Sequence, residues 1–248
     1  MQGVQIMNGI KRNTERLFSH GGKLFAMAMD LPQVGLVDGL TDPRAVIRSC
    51  KDSQLDAFLT NVGVAHLAEE ELLTKKLILR TSSGGTNLAT EFTGVQKNHV
   101  SPETALAMGA DAVVMMMVIG GADYASIQDA AAAIDAYHRL SIPVVVEILA
   151  ADYEKTQTFD IQANGARVAA ELGADVVKAF YTENFDTVVA NCPVPIILAG
   201  GPKGSDIFDT AAAAVKAGVK GFCFGRNLFQ SEDKLERIAR LDRILREA

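Results

Sequence analysis

The chain has 248 residues, of which 48% are hydrophobic and 22% are charged, and its formal net charge is −6. This length fits one (β/α)8 barrel or one large α/β domain, and the composition supplies enough apolar side chains for a single core. The acidic balance, together with the lack of a Lys/Arg cluster, argues against a nucleic-acid-binding surface.

The amino-terminal segment 1–20 mixes charged with apolar side chains, a pattern that a signal peptide does not have. The longest apolar runs, such as 112–121, are too short to cross a bilayer as a helix. The scattered cysteines favour reduced thiols over a disulfide framework (Cys50, Cys192 and Cys223). We therefore expect a cytoplasmic protein that does not bind membranes.

A helix that ends near a glycine and is followed by an apolar run occurs three times, at 105–118, 169–180 and 214–225. A glycine at this point readily adopts the left-handed conformation that ends a helix. The apolar runs lack the polar alternation of half-exposed strands, so they are typical of parallel strands covered on both faces by helices.

In the same way the whole chain predicts eight strands separated by helices. The strands are predicted at 24–29, 56–60, 76–80, 112–118, 143–148, 175–180, 195–199 and 220–224, and helices at 127–139, 162–172, 206–217 and 232–246. Ser101 followed by Pro102 predicts a further helix start. The repeated β-α order implies parallel strands, and eight units favour a closed TIM barrel over an open doubly wound sheet. Because no linker or change in composition interrupts the chain, we expect one barrel domain over 1–248, with 1–20 preceding the first strand.

Two glycine-containing loops follow the last two predicted strands. Gly200 and Gly201 follow the seventh strand, and Gly225 and Arg226 follow the eighth. Barrel enzymes often bind phosphate with these two loops, since glycine lets backbone N–H groups approach an anion and arginine adds a charge. Lys203 is a weaker candidate for the same anion. One Gly-Gly pair alone would be explained as a tight turn, but two loops at the expected strands favour a phosphate site.

Lys178 lies inside the sixth predicted strand, where burial on both faces is expected. A buried ammonium is costly, and burial lowers the pKa of a lysine, which leaves more free amine to attack a carbonyl. The resulting iminium would accept electrons during cleavage of a neighbouring carbon–carbon bond. The alternatives are that Lys178 pairs with a carboxylate in the barrel lumen or extends outward to solvent. The residues alone leave these interpretations open.

Three segments resemble the archaeal-type class I fructose-bisphosphate aldolase family: Asp-Val-Val-Lys-Ala-Phe-Tyr-Thr at 175–182, Ala-Gly-Gly-Pro-Lys at 199–203 and Gly-Arg-Asn-Leu-Phe-Gln at 225–230. That family includes relatives that act on other phosphorylated ketoses and a thiolase-like branch. The resemblance implies a metal-independent Schiff-base enzyme on a TIM barrel, needing no cofactor, that acts on a phosphorylated sugar or ketone. It also implies a homo-oligomer.

Carried over by position, the resemblance implies that Lys178 is the Schiff-base nucleophile. It places Asp30, at the end of the first strand, near the lysine or the substrate hydroxyls. It surrounds the substrate phosphate with the glycines and the arginine of the two loops (Gly200, Gly201, Gly225 and Arg226).

The chain departs from the family at two points. Leu31-Pro32 follow the first-strand aspartate where many relatives have His-Gly, and Leu149 stands where relatives that cleave fructose bisphosphate carry a tyrosine as proton donor and acceptor. Glu147 is the replacement that the strand favours, because period-two alternation puts it on the same face as Leu149. Burial would raise the pKa of this carboxyl group towards neutrality. The alternative is that Glu147 is a partner for Lys178 or Arg80.

Other polar side chains are weaker candidates. Arg80 ends the third strand and points either onto the surface or, as we expect, into the mouth of the barrel. In the mouth it would bind a second anionic group or orient a carboxylate. Tyr124 is a possible proton donor, while alternation points Tyr181 away from the lysine. The four histidines show no metal-ligand spacing. His66 follows the second strand, where an approach to the mouth and a helix start explain it equally well.

These observations predict a class I aldolase that reversibly cleaves a phosphorylated ketose. The missing tyrosine keeps two other reactions on the same barrel open, namely thiolase-like acyl transfer and transaldolase-type transfer. A non-catalytic protein that binds phosphate esters is a further alternative, but it leaves the lysine in the sixth strand unexplained.

Overall fold

A computed structural model describes residues 9–31, 33–89, 94, 96–201 and 207–247. Eight parallel strands close into a barrel, and neighbours around the barrel follow the order of the chain, with the last strand pairing with the first. The strands are β1 (Leu24–Ala28), β2 (Ala57–Thr60), β3 (Lys76–Arg80), β4 (Ala112–Ile119), β5 (Val144–Ala150), β6 (Val176–Ala179), β7 (Ile196–Ala199) and β8 (Gly221–Phe224). The predicted TIM barrel is confirmed, and each predicted strand overlaps an observed one.

Helices surround the barrel. They are α1 (Gly9–Leu17), α2 (Pro43–Cys50), α3 (Val62–Leu67), α4 (Glu69–Leu72), α5 (Pro102–Ala107), α6 (Tyr124–Arg139), α7 (Phe159–Glu171), α8 (Phe185–Ala190), α9 (Ile207–Ala217), α10 (Arg226–Phe229) and α11 (Lys234–Arg246). The predicted start of α5 is confirmed, since the Ser101 side chain accepts a hydrogen bond from Thr104 N. Within the described ranges, no helix has the length and apolar character needed to cross a membrane.

The core has two parts because side chains alternate between the two faces of each strand. One part fills the barrel lumen with mostly small and branched side chains, including Ala26, Ile78, Val145 and Val176. The other, larger part lies between the strands and the helices. In β3, β5 and β6 the next lumen-facing residue, two positions after Ile78, Val145 and Val176, is charged. The fold therefore puts a polar layer on top of an apolar lumen, at the carboxyl ends of the strands.

Candidate active site

Four charged side chains form this polar layer: Asp30, Arg80, Glu147 and Lys178. Glu147 and Lys178 are direct neighbours in the register of β5 and β6. Arg80 ends β3, and Asp30 lies two residues beyond β1. Each is at most 5% exposed. The layer thus gathers residues that are up to 148 positions apart in sequence, from Asp30 to Lys178.

The four side chains form a connected ion cluster, which we call the charge quartet. Lys178 Nζ donates to Glu147 Oε1 at 2.8 Å. Arg80 Nε donates to Asp30 Oδ2 at 2.6 Å, and Arg80 Nη2 donates to both Asp30 and Glu147. Two cations therefore face two anions. This pairing offsets the large cost of removing the four charges from water.

The pKa shifts follow from this pairing. Burial lowers the pKa of Lys178, but attraction to Glu147 and other nearby groups outweighs it, so the pKa is raised above its usual 10.5. Burial raises the pKa of Glu147, but attraction to Lys178 and Arg80 outweighs it and lowers the pKa to about 2. Without a ligand, the amine is held protonated and the carboxylate ionised.

The sequence predicted a lowered pKa for Lys178 and a raised pKa for Glu147, because that expectation took account of burial alone. Both observed shifts are in the opposite direction, since each group has a charged partner. The structure instead shows the alternative contacts: Lys178 pairs with a lumen carboxylate, and Glu147 is the partner of both Lys178 and Arg80. Arg80 faces the mouth as predicted, and there it orients two carboxylates. Any catalytic use of Lys178 therefore needs a step that removes its proton.

A cavity of about 330 Å³ opens above the charge quartet and includes all four of its members in the wall. This volume is at the lower end of the range for small-molecule sites. The candidate phosphate residues also line it, on the side of β7 and β8 (Gly200, Gly201, Gly225 and Arg226). The lysine and the two glycine loops thus share one cavity. Lys203, the weaker candidate, lies outside the described residues.

The glycine loops pack closely against the barrel. A side chain at Gly225 would place its Cβ 2.8 Å from Ala28 O, so only glycine fits there without movement. Gly201 has φ of +63°, a conformation that favours glycine. Asn227 Nδ2 donates to Gly200 O at 2.7 Å and ties the two loops together. Gly200 and Gly201, the described start of the loop after β7, are therefore joined to the loop after β8 in the cavity wall.

The wall near β5 is apolar. Leu149, which replaces the family's tyrosine, clusters with Phe180, Ala199 and Met116. Leu149 also lines the cavity on the same face as Glu147, as alternation predicted. No proton carrier lies at that point of the strand.

Three polar side chains in the cavity wall were not singled out from the sequence: Gln33, Asn87 and Tyr153. They lie in the loops after β1, β3 and β5. Because active sites of TIM barrels are built from the loops at the carboxyl ends of strands, that position alone was the available signal. Tyr153 begins a single 3-10 turn over Tyr153–Lys155, four residues after Leu149.

Other candidates lie elsewhere. Tyr124 is largely exposed at the start of α6, and the Tyr181 ring packs 5.2 Å from that of Phe185. His66 lines a separate groove of about 740 Å³, together with Asp56 and other residues near the amino ends of β2 and β3, so the interpretation that it approaches the mouth is wrong. Among the side chains that the structure describes, no cluster of three His, Cys, Asp or Glu could hold a metal ion.

Comparison with known proteins gives three findings about relatives. A family model described as DeoC/LacD family aldolase matches residues 18–231. A 3-hydroxy-5-phosphonooxypentane-2,4-dione thiolase from Salmonella typhimurium is 30% identical over 188 residues, which cover 74% of this chain and 63% of that protein. A 2-amino-3,7-dideoxy-D-threo-hept-6-ulosonate synthase from Archaeoglobus fulgidus is 30% identical over 240 residues, covering 94% and 89%. The chain thus spans less than two thirds of the thiolase but most of the synthase.

Among solved structures, an archaeal fructose-1,6-bisphosphate aldolase superposes with a TM-score of 0.83 and 25% identity, covering 96% of this chain and 99% of that one. In that structure the catalytic lysine is covalently bound to the carbinolamine intermediate of the substrate.

Proposed function

This chain belongs to the DeoC/LacD aldolase family, and we propose that it is a class I aldolase that reversibly cleaves a phosphorylated ketose. Lys178 would form the Schiff base. The observation that carries the proposal is the shared cavity, in which the buried Lys178 amine faces two glycine loops suited to an anion. The known carbinolamine of the archaeal aldolase supports it by similarity.

The first task of the site is to deprotonate the amine. Lys178 Nζ already donates to Glu147 Oε1 at 2.8 Å, so one proton transfer along this hydrogen bond gives a neutral amine and a neutral carboxyl group. Substrate entry favours this transfer, because removing water from the cavity penalises the charged pair more than the neutral one. The amine then attacks the substrate carbonyl. The carbinolamine oxygen takes one proton from Glu147 and one from the attacking nitrogen, and leaves as water.

The charge quartet is suited to the iminium that results. The iminium carries one positive charge at the nitrogen that was an ammonium, so the balance of two cations and two anions is kept. Asp30 and Glu147 stabilise that charge, while Arg80 keeps both carboxylates in position. The iminium accepts the electron pair of the breaking carbon–carbon bond, which gives an enamine and an aldehyde.

The phosphate of the substrate would bind against the loops after β7 and β8. Backbone N–H groups can approach an anion closely at Gly200, Gly201 and Gly225, and Arg226 adds a formal charge beside them. Since β7 is the neighbour of β6 in the barrel, a phosphate held there brings a nearby carbonyl over Lys178. This geometry supports a phosphorylated substrate small enough for about 330 Å³.

A second candidate is thiolase-type acyl transfer on the same Schiff base. The apolar wall around Leu149 and Met116 favours it, because no proton carrier stands where the aldolases have tyrosine. The relative from Salmonella typhimurium is named for this kind of reaction. A product analysis with and without coenzyme A separates the two activities, since only acyl transfer consumes the thiol.

Borohydride trapping tests the proposal. We expect that a panel of fructose 1,6-bisphosphate, fructose 1-phosphate, fructose 6-phosphate and dihydroxyacetone phosphate, each reduced with borohydride, yields at least one stable adduct at Lys178 by peptide mass spectrometry. The Lys178→Met variant should give no adduct and lose turnover, whereas Lys51→Met, at a partly exposed lysine outside the cavity wall, should behave as the wild type. If the panel gives no adduct and Lys178→Met keeps full activity, the Schiff-base mechanism is wrong.

A further inference from the structure

Glu147 carries the proton while the Schiff base forms at Lys178, and the carbon–carbon bond step needs a second proton carrier near the substrate hydroxyl. Besides Lys178, the described cavity wall contains four side chains that exchange protons: Asp30, Glu147, Cys223 and Tyr153. Asp30 and Glu147 are both held by Arg80 at the floor. Cys223 is buried in the apolar lumen cluster below the charge quartet. Tyr153 differs from the other three, since it lies at the rim and is 45% exposed.

Hydrogen bonds hold the loop that carries Tyr153 against the strand that carries Lys178. Ala150 N donates to Thr156 Oγ1 at 3.1 Å, which closes the loop directly after β5. The fully buried Gln162 donates to Thr156 O at 2.5 Å and accepts from Phe180 N at 3.0 Å. The turn that contains Tyr153 is therefore held against β5 at Ala150 and, through Gln162, against Phe180, which lies two residues beyond Lys178.

The same loop also reaches the candidate phosphate side of the cavity. A Cβ added to Gly201 would lie 3.2 Å from Gln157 Nε2, so the loop after β5 closely approaches the loop after β7. A substrate with its phosphate at the β7 and β8 loops and its carbonyl on Lys178 of β6 extends next towards β5, because the strands follow this order around the barrel. Its carbons beyond the carbonyl then lie below the loop of Tyr153.

We propose that Tyr153 is the catalytic acid and base of the carbon–carbon bond step, an assignment that rests on the proposed aldolase function. Tyr153 Oη takes the proton of the substrate hydroxyl on the far carbon of the bond to be broken, which is the carbon that becomes the aldehyde. As that O–H bond breaks, the carbonyl of the aldehyde forms, the carbon–carbon bond breaks, and its electron pair moves into the iminium to give the neutral enamine.

The phenol then gives the same proton to the enamine carbon. This restores the iminium, which water hydrolyses to release the ketone, and Tyr153 ends the cycle in the form in which it began. Condensation uses the same steps in reverse. Leu149 takes no part, so the function of the family's tyrosine passes from the strand to the loop that follows it.

The test compares Tyr153→Phe with Tyr181→Phe, a tyrosine that packs against Phe185 away from the cavity. With the ketose that traps best on the wild type, Tyr153→Phe should lose about 10²–10⁴-fold in kcat for cleavage, the usual contribution of a general acid or base. Trapping of the ketose by borohydride should stay within about twofold, because that reaction stops at the Schiff base. Tyr181→Phe should match the wild type in both assays.

Each outcome separates the two proposals. If Tyr153→Phe cleaves the ketose at the wild-type rate and traps it normally, the proposed role of Tyr153 is wrong and the Schiff-base proposal stands. An equal loss of trapping and of cleavage shows that Tyr153 serves substrate binding, which also overturns it. No trapping in the wild type overturns the proposed function itself. Thermal melting of the variant, compared with the wild type, shows that the protein tested is folded.

Discussion

The two ends of the barrel both place carboxylates next to strands, but the carboxylates bind different partners. At the amino end, three aspartates each directly precede an even-numbered strand and accept a backbone N–H from the first or second residue of the strand before it. The pairs are Asp56 with Phe25 at 2.7 Å, Asp111 with Leu77 at 2.9 Å, and Asp175 with Val144 at 2.8 Å. These carboxylates satisfy donors at the strand ends.

At the carboxyl end, Asp30 and Glu147 bind the side chains of Arg80 and Lys178 instead of backbone groups. In TIM barrels the amino end generally serves stability and the carboxyl end serves chemistry. The role of a carboxylate at a strand end therefore follows from the group that it binds. A carboxylate on backbone N–H groups stabilises strand pairing, while one that holds a buried cation sets the charge of an active site.

Glu147→Gln tests the carboxyl end and should have the largest effect on activity. It keeps the size of the side chain but removes the charge that raises the pKa of Lys178 and the group that we propose carries its proton. We expect kcat to fall about 10²–10⁴-fold. The midpoint of the pH dependence of borohydride trapping should move to lower pH, because the amine then loses its proton more easily.

The matched control is Glu171→Gln, whose charge pairs with Arg167 on an exposed helical face. It should leave both measurements unchanged. Because Glu147→Gln also leaves the buried Arg80 and Lys178 with one anion fewer, circular dichroism should first establish that the variant is folded. Unchanged kcat in the folded variant would contradict the assignment of Glu147.

The fold could be predicted from the sequence because its signals are local. Apolar runs mark the strands, and the repeated helix-ending glycines at 109, 173 and 218 all adopt positive φ in the structure. Period-two alternation also placed Glu147 and Leu149 on one face, and that face lines the cavity. Each of these inferences needed only residues that are close in sequence.

The electrostatics of the site could not be predicted in the same way, because they depend on pairs that are distant in sequence. Burial was foreseen for Lys178, but the sign of its pKa shift depends on Glu147, which reaches it only when β5 and β6 pair. Tyr153 was missed because a turn between β5 and α7 has no periodicity from which the direction of a side chain can be inferred.

Asp56→Asn tests the amino end and should change stability without changing activity. Asp56 accepts from Phe25 N at 2.7 Å and from Arg246 Nη2 at 2.6 Å. Weakening these partly buried, charge-assisted bonds should lower the free energy of unfolding by about 1–3 kcal/mol. The denaturant midpoint measures this loss, and kcat should stay within about twofold of the wild type. A large loss of kcat in the folded variant would contradict the division between the two ends.

His138→Gln, also at the amino end, should have the smallest effect on stability. His138 Nε2 lies 2.9 Å from Asp175 Oδ2, and this hydrogen bond, opposed by partial burial, raises the pKa of the imidazole. A raised pKa in the folded state means that the stabilising contribution is fully present below the ordinary pKa of about 6.5 and is lost as pH rises through the folded value. Because the pair is partly exposed, we expect a contribution of roughly 0.5 kcal/mol.

The difference in unfolding free energy between wild type and His138→Gln should therefore be measurable near pH 5.5 and should shrink towards zero near pH 9. Kcat should not change at either pH, since Asp175 binds Val144 N at the amino end of β5 while Glu147 lies near its other end. A difference that grew as pH rose would mean that the neutral imidazole, not the imidazolium, stabilises this end. Asp175 would then serve the strand backbone alone, whereas Asp56 binds both Phe25 N and the Arg246 guanidinium.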